Sequence, residues 1–255
     1  FDVGLICLAD PNNGHLYLAA ERGLPPGTYY VVSSSSQGYL DELYNDIVCV
    51  AGQCTTNAAH VITEIVNDPA WPDRIVEALD GCDKPVVARL NGLALGGGLE
   101  VCLACHYRVL ADHPQAVLGF PEVNIGLLPG AGGTQRTPRL IGFRNAATMV
   151  LQCRNQKPQK ALEMGLVHEL APADEVVDRA RRWVLDGGEG VAPWDKKGFR
   201  IPHGGLMSPS TAQTFMGGNS LVAKNTRHNY PAPIAAQSAM FEGCATSFDD
   251  GLKIE

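Results

Sequence analysis

The chain has 255 residues, of which 45% are hydrophobic and 18% charged, and its formal net charge is −7. This composition is typical of a folded globular protein, and the length allows one large domain or a domain with an appendage. Lysine and arginine are scattered, so no basic stripe indicates a nucleic-acid surface. No apolar run approaches the ~20 residues of a membrane span. The first residues, FDVGLICLAD, lack a signal-peptide pattern and an initiator methionine, so we expect a part of a longer chain.

The eight cysteines do not indicate a disulfide framework or a metal site. Cys102 and Cys105 form a C-x-x-C pair, but no second pair or histidine follows at zinc spacing. We interpret both as small buried core residues, because free cysteine behaves as a hydrophobe in protein interiors. This cysteine usage predicts a reducing compartment, which means the cytoplasm or, in a eukaryote, the peroxisome or mitochondrial matrix.

In the first third of the chain, apolar runs predict strands over residues 3–10, 46–52 and 84–92. Residues 23–46 mix proline, glycine and four serines with a short β-rich run, and we assign them no element. A helix with Ile75, Val76 and Leu79 on one face is expected before the third strand.

Further along, the pattern predicts a helix over 98–105 and a strand over 106–112. A Gly- and Pro-rich stretch, 116–133, leads into a helix on which Arg136 and Arg139 are expected at the surface or at an interface. Residues 144–153 form a separate segment, and 160–170 read as a helix followed by a strand. This alternation predicts an α/β layer arrangement with a largely parallel sheet.

The composition changes near residue 185, where a Gly- and Pro-rich connector begins. Two or three helical segments follow it, around 209–223 and 232–244. We therefore divide the chain into a catalytic core, 1–185, and a connector with a C-terminal helical region, 186–255.

The stretch LALGGGLEVCLAC, residues 93–105, places three glycines directly before a predicted helix. A phosphate cradle is disfavoured, because the G-x-G-x-x-G pattern fails at its third glycine and no G-x-x-x-x-G-K-[ST] motif is present. The glycines can instead expose backbone N–H groups at a helix N-terminus, which is the arrangement of an oxyanion hole. Tight packing between strand and helix, with Glu100 in solvent, is the structural alternative.

A second glutamate favours the catalytic interpretation. Glu122 lies in the apolar loop GFPEVNIGLLPG, an unusual setting for a surface carboxylate. Two carboxylates in apolar surroundings are typical of general acid–base chemistry, because burial and mutual repulsion keep one of them protonated.

These residues identify a resemblance to the crotonase, or enoyl-CoA hydratase/isomerase, superfamily. The segments KPVVARLNGLALGGGLEVCLACHYRVLAD and LGFPEVNIGLLPGAGGTQRTPRLIG are closely similar to its most distinctive region, and KALEMGLVHEL extends the match to about residue 170. The segments APWDKKGF, AQTFMGGN, NYPAPIAAQSAMFEG and FDDGLKIE resemble the stretch that joins hydratase and dehydrogenase domains in bifunctional fatty-acid-oxidation enzymes. The resemblance therefore implies a crotonase-like spiral of ββα units with a C-terminal helical segment, and a hydratase part without its NAD-binding domain.

The resemblance also implies the site residues. Glu100 and Glu122 match the two catalytic glutamates, and the Gly97 N–H matches one oxyanion-hole donor. The second donor falls on the His60 N–H, where the sequence departs from the family pattern A-G-A-D-[IL] by carrying AAHV at 58–61. Further residues expected to line the substrate site are Ala58, Ala59, Leu95, Gly96, Gly98, Pro121 and Gly130.

The implied activity is hydration of 2-trans-enoyl-CoA in fatty acid β-oxidation, without a metal or a cofactor other than the coenzyme A of the substrate. Three alternatives stay open: a Δ3-Δ2-enoyl-CoA isomerase, a non-catalytic acyl-CoA-binding domain disabled at 58–61, and thioester hydrolysis. The expected partners are an acyl-CoA thioester and either further copies of the chain, as a trimer or dimer of trimers, or a dehydrogenase domain. No nucleic-acid or membrane partner is expected.

Overall fold

The computed structural model describes residues 4–9, 16–21, 28–34, 45–51, 79, 85–227 and 229–255. The strands in these ranges are β1 (Gly4–Ala9), β2 (Leu16–Glu21), β3 (Thr28–Ser34), β4 (Asn45–Ala51), β5 (Val86–Leu90), β6 (Leu93–Leu95), β7 (Tyr107–Ala111), β8 (Val117–Gly119) and β9 (Glu169–Ala171). The α-helices are α1 (Gly97–Ala104), α2 (Gly133–Val150), α3 (Pro158–Glu163), α4 (Val176–Leu185), α5 (Pro209–Thr226), α6 (Ala232–Gly243) and α7 (Phe248–Ile254). Two short 3-10 helices span Glu122–Ile125 and Pro193–Asp195.

Seven strands form one sheet in the order β2-β1-β3-β4-β5-β7-β9, and β6 and β8 form a second, two-stranded sheet. The pairs β1–β3, β5–β7 and β7–β9 are parallel, whereas β1–β2, β3–β4 and β4–β5 are antiparallel. The expectation of a largely parallel sheet is therefore wrong, because the large sheet is mixed. The connections from β1 to β2 and from β3 to β4 are short, and a parallel pairing needs a crossover of a dozen residues or more.

The site lies on two successive ββα units. In the first, β5 belongs to the large sheet, β6 to the small sheet, and α1 follows; β7, β8 and α2 repeat this order. Corresponding strands of the two units pair in parallel, β5 with β7 and β6 with β8. The predicted α/β fold built from ββα units is confirmed. The repeat brings the start of α1 close to the turn that follows β8.

Helices cover both faces of the large sheet at β5 and β7. On β5, Val86, Ala88 and Leu90 belong to the main core, which includes the buried residues of α1 and α2. Val87 points to the other face, where it packs with residues of α4 such as Val176 and Ala180. The period of two along a strand explains this division, and the alternation makes β5 buried on both sides.

Helix α1 is apolar around its whole circumference, and all its residues except the first are buried. A helix of this kind belongs inside a core, and its sole charged residue is Glu100. Cys102 and Cys105 are both buried free thiols, as predicted. Burial raises the pKa of the Cys102 thiol to about 12, so it is an inert core group.

Several predicted elements hold, and others differ. The strands expected over 3–10, 46–52, 84–92 and 106–112 correspond to β1, β4, β5 and β7, and the strand expected at the end of 160–170 to β9. Strand β3 lies inside the unassigned stretch 23–46, and β2 was also not predicted. The first residues of the segment 144–153 form the second part of α2, which ends at Val150 and is divided by non-helical φ/ψ values at Gly142.

The C-terminal helical segment is confirmed and consists of α5, α6 and α7. Helix α6 packs against α2, and α7 packs against α6. Ser247 caps the start of α7, since its hydroxyl oxygen accepts a hydrogen bond from the Asp250 N–H at 3.1 Å. Within the described part of the chain, no helix is long and apolar enough to cross a membrane.

Candidate active site

Gly96 connects β6 to α1 and explains part of the triple glycine. Its φ is 56° and its ψ −133°, a conformation that side-chain-bearing residues rarely adopt. A Cβ atom here would lie 2.8 Å from Oε1 of Glu122. The Gly96 N–H donates to the Gly119 carbonyl at 3.0 Å, which fixes the end of β6 against the end of β8. Glycine at 96 therefore permits the turn and leaves room for a carboxylate beside it.

Gly97 is the first residue of α1 and is half-buried. Among the described residues, no acceptor faces its N–H group. The first N–H groups of a helix have no intrahelical partner, and the helix dipole places partial positive charge there. This amide is therefore available to a ligand oxygen.

Glu100 lies one turn further along α1, and only 3% of its surface is exposed. Its Oε1 accepts two hydrogen bonds, from the N–H groups of Ala131 and Gly133, both at 2.8 Å. A Cβ atom on Gly133 would lie 2.7 Å from this oxygen, so the close approach needs glycine. The alternative in which Glu100 lies in solvent is wrong, because the carboxyl is buried at the start of α2.

The electrostatic setting of Glu100 favours its protonated form. Burial is the main cause that raises its pKa from the ordinary 4.5 to about 8, and the nearby carboxylates of Glu255 and Glu122 act in the same direction. The two hydrogen bonds from the backbone oppose these effects. Near neutral pH, the carboxyl therefore holds a proton in most molecules and can release it at slightly alkaline pH.

Glu122 begins the 3-10 helix that follows β8. Its Oε2 is buried and has no hydrogen-bond partner among the described residues. Burial raises the pKa of this carboxyl, and the charge of Glu255 raises it further. The Tyr230 hydroxyl donates to the Val123 carbonyl at 2.6 Å and so holds the turn in place. An unpartnered carboxyl oxygen in this position is suited to a polar substrate group.

The structure brings most of the predicted site residues together. Leu95, Gly96, Gly97 and Gly98 are consecutive at the junction of β6 and α1, and Pro121 precedes Glu122. Pro121 Cδ lies 3.9 Å from the Cβ position of Gly96. Gly130 is exposed and adjoins Ala131, whose N–H binds Glu100. The remaining predicted residues, Ala58, Ala59 and His60, lie outside the described residues.

Sequence reasoning missed a third carboxylate, that of Glu255. It accepts hydrogen bonds from the N–H groups of Gly132 and Thr134 and from the Thr134 hydroxyl. The amides that bind it lie more than a hundred residues earlier in the chain, so no local sequence pattern indicated this contact.

The expectation that Arg136 and Arg139 lie on a helix surface is wrong. Arg136 is fully buried and donates to the Ala131 carbonyl at 3.0 Å, and Arg139 donates to the Gly243 carbonyl at 3.0 Å. Both guanidinium groups also lie over the ring of Phe248, with 4.9 Å and 5.3 Å to its centroid. These arginines join α2 to the C-terminal helices.

Among the described residues, no group of three or more histidine, cysteine or acidic side chains is arranged to hold a metal ion. A groove of about 690 Å³ between Tyr107, Trp183 and Lys196 does not include the two glutamates. The two glutamates and the backbone amides described above lie at the junction of α1, α2 and the 3-10 helix.

Comparisons with known proteins find a family that matches the segment containing this junction. The family model described as enoyl-CoA hydratase/isomerase matches residues 71–186. The fatty acid oxidation complex subunit alpha of Shewanella amazonensis is 38% identical over 184 residues, which cover 69% of this chain and 25% of the relative. The protein of the same name from Shewanella sp. strain MR-4 is 38% identical over 188 residues, covering 71% of this chain and 25% of the relative. The chain thus spans about a quarter of the length of these curated relatives.

Among solved structures, the enoyl-CoA hydratase of Bacillus anthracis is similar at 27% identity, with a TM-score of 0.42, over 80% of this chain and 60% of that one. The matched family segment contains β5 to α4, and with them both glutamates and the amides that face them. Residues 71–186 of the chain therefore belong to the enoyl-CoA hydratase/isomerase family.

Proposed function

We propose that this chain is an enoyl-CoA hydratase, which adds water across the double bond of 2-trans-enoyl-CoA thioesters in fatty acid β-oxidation. Its family supports the reaction class. The observation that carries the proposal is the pair of largely buried carboxyls, Glu100 and Glu122, beside the amide of Gly97 at the start of α1. General acid–base chemistry at a thioester needs these parts together.

In the proposed reaction, the thioester carbonyl oxygen accepts a hydrogen bond from the Gly97 N–H. The second donor is the N–H of His60, at the position where the sequence departs from the family pattern. As water adds at C3, the electrons of the C2–C3 double bond move to C2, and negative charge develops on the thioester oxygen. Fixed backbone donors stabilise that charge, and the loss of one such donor typically raises the barrier by about 3 kcal/mol.

Two proton transfers complete the addition. Glu100 takes the proton of the attacking water, and the water oxygen forms its bond to C3. Glu122 then delivers a proton to C2, and the enolate returns to a thioester. The substrate gains one hydrogen at C2 and one hydroxyl at C3, so the atoms of one water molecule are accounted for. A proton passed from Glu100 to Glu122 afterwards restores the starting state.

The electrostatics of the pair support a site that holds one proton for these transfers. The pKa values of both carboxyls are raised by burial and by neighbouring negative charge, so the pair retains a proton near neutral pH. The reactive state has Glu100 ionised and Glu122 protonated. This state requires Glu100 to be ionised, and its ionised fraction grows as the pH rises toward about 8, the value to which burial raises its pKa.

An isomerase that moves a double bond from C3 to C2 would use the same oxyanion donors and a single carboxyl. In that reaction, Glu122 alone would carry a proton between carbon atoms, and Glu100 would have no role. The presence of a second carboxyl, held at two amides in the same site, favours the hydratase.

The test follows the loss of ultraviolet absorbance when the purified chain meets crotonyl-CoA. We expect turnover in the parent, and a fall of about 100-fold or more in Glu100→Gln and in Glu122→Gln, the range for removal of an acid–base group. Glu163→Gln, at an exposed glutamate on α3, is the matched control and should keep full activity. Thioester binding without turnover in the parent would overturn the proposal in favour of an acyl-CoA-binding domain.

For the protein as a whole, we propose an acyl-CoA thioester as substrate, with no cofactor besides the coenzyme A it carries. The curated relatives are about four times as long as the matched segment. We therefore propose that the partner of this chain is either a dehydrogenase domain or further copies of the chain itself. Cys102, Cys105, Cys153 and Cys244 are free thiols, which supports the proposal of a reducing, cytoplasmic location.

A further inference from the structure

Two carboxylates share the N-terminus of α2 in an alternating pattern. Four consecutive N–H groups, of residues 131–134, point to carboxyl oxygens. The odd-numbered amides donate to Oε1 of Glu100, both at 2.8 Å, and the even-numbered amides donate to Glu255, with 2.8 Å for the second of them. The orientation of the peptide groups that serve Glu100 is therefore fixed from the other side by Glu255.

Glu255 reaches this position from the end of α7, 123 residues further along the chain than the first amide it binds. Its backbone N–H donates to the Gly251 carbonyl, and Gly251 approaches α2 closely, with 2.7 Å between its Cβ position and Oε1 of Gln135. The side chain of Leu252 lies against Gly132, with 3.2 Å from its Cδ2 to the Cβ position of that glycine. These contacts hold the carboxylate of Glu255 at the helix terminus.

The charges around Glu255 link it to the proposed catalytic pair. The groups that face it are Glu100 on α1, Glu122 on the 3-10 helix and Arg136 on α2. Burial raises the pKa of Glu255, while the donors at Gly132 and Thr134 and the charge of Arg136 lower it. In turn, the charge of Glu255 raises the pKa of Glu100, and among the causes of this rise only burial has a larger effect.

From this geometry we propose that Glu255 is a positioning residue of the active site, which orients the amides that bind Glu100 and sets the proton affinity of that carboxyl. This role rests on the proposed hydratase function. Glu255 does not touch the reacting atoms in this scheme. The C-terminal helix α7 is thereby part of the machinery that determines at which pH Glu100 acts as a base.

The variant Glu255→Gln keeps the shape of the side chain and removes its charge. Two effects then favour ionised Glu100: the loss of a neighbouring negative charge and the release of α2 amides from a competing carboxylate. We expect the rising limb of the pH profile of kcat/KM to move by about one pH unit toward lower pH. Glu255→Asp, which retains the charge, should leave the midpoint closer to that of the parent even where kcat falls.

Two further variants separate this role from a structural one. Lys253→Met removes an exposed ion pair with Asp250 on the same helix and should leave the profile unchanged. Leu252→Ala loosens the contact between α7 and Gly132 while Glu255 keeps its charge, so it should lower stability or kcat and move the midpoint less than Glu255→Gln does. An unshifted midpoint in Glu255→Gln, in a parent that hydrates crotonyl-CoA, would overturn the proposal.

A double-mutant cycle on stability distinguishes this failure from a failure of the proposed function. The free energy of unfolding is measured against pH in the parent, Glu100→Gln, Glu255→Gln and the double variant. A pH-dependent coupling between the two positions supports the link between the carboxyls whether or not the chain is active, and additivity at every pH overturns it. Inactivity of the parent toward crotonyl-CoA would overturn the proposed function, and with it the catalytic role of Glu255.

Discussion

Replacement of Glu100 by glutamine should make the protein more stable at alkaline pH while it abolishes activity. In the parent, burial among apolar side chains and negative charges raises the pKa of Glu100 from the ordinary 4.5 to about 8. Between these values, the folded state binds more protons than the unfolded state, so the free energy of unfolding falls as the pH rises. The interval corresponds to a loss of up to about 5 kcal/mol, since each pH unit contributes about 1.4 kcal/mol.

The structure also indicates that glutamine fits. Both amides that serve Glu100 donate to the same oxygen, Oε1, and the single carbonyl oxygen of a glutamine can accept both bonds. The variant should therefore match the parent in stability well below pH 4.5, where the carboxyl is protonated in both the folded and the unfolded state. Above pH 8 it should be more stable by up to about 5 kcal/mol.

Urea unfolding followed by circular dichroism, from about pH 5 to about pH 9, measures this difference directly. Groups that do not interact with Glu100 contribute equally to parent and variant, so the gap between the two curves reports Glu100 together with the carboxyls of Glu122 and Glu255 that couple to it. Glu163→Gln, on the exposed surface of α3, is the control and should give a curve parallel to that of the parent. Parallel curves for the parent and Glu100→Gln would refute the reasoning.

Three further outcomes are expected. The kcat/KM of the parent on crotonyl-CoA should rise as the pH approaches about 8, because the pKa of the proposed base, Glu100, is about 8, and should fall again where the proposed acid, Glu122, loses its proton; a profile flat between about pH 6 and about pH 8 would count against the role of Glu100. Gly133→Ala should lose about 1–3 kcal/mol of stability and most activity, because its Cβ would meet Oε1 of Glu100 at 2.7 Å. A Cβ atom added to Gly217, in α5, would have no atom within 4 Å, so Gly217→Ala is the control and should be neutral or stabilising in urea unfolding. Tyr230→Phe should cost about 0.5–1.5 kcal/mol and lower kcat, because the turn that carries the second glutamate loses the bond from the tyrosine hydroxyl to the Val123 carbonyl; an unchanged unfolding midpoint would contradict this.

The two ββα units were predictable in outline, because their strands and helices are local elements with clear apolar patterns. The strands β5 and β7 and the helix α1 all fall within two or three residues of their predicted positions. The pairing of the strands was not predictable in the same way. Antiparallel partners such as β3 and β4 join through few residues, whereas β5 pairs with β7 across an entire intervening unit.

The site residues also separate into those that the local sequence made predictable and those that depend on distant contacts. Glu100 and Glu122 stood out because each is a carboxylate in an apolar, glycine-rich segment, and such an exception to the hydrophobic pattern is visible in a single line of sequence. Arg136 and Arg139 were misjudged, since their burial depends on Phe248 and the carbonyl of Gly243, which lie more than a hundred residues away. Charged side chains are assigned to the surface unless such partners are known.

By itself, the sequence determined that three glycines would open a turn into an apolar helix and that a carboxyl would follow them, because backbone conformation and helix formation depend on neighbouring residues. Only the tertiary structure decided how that carboxyl titrates. The proton affinity of Glu100 depends on its burial, on two amides 31 and 33 residues away and on the charge of Glu255. Electrostatic energy depends on distance in space and on exclusion of water, and both are set when distant segments pack together.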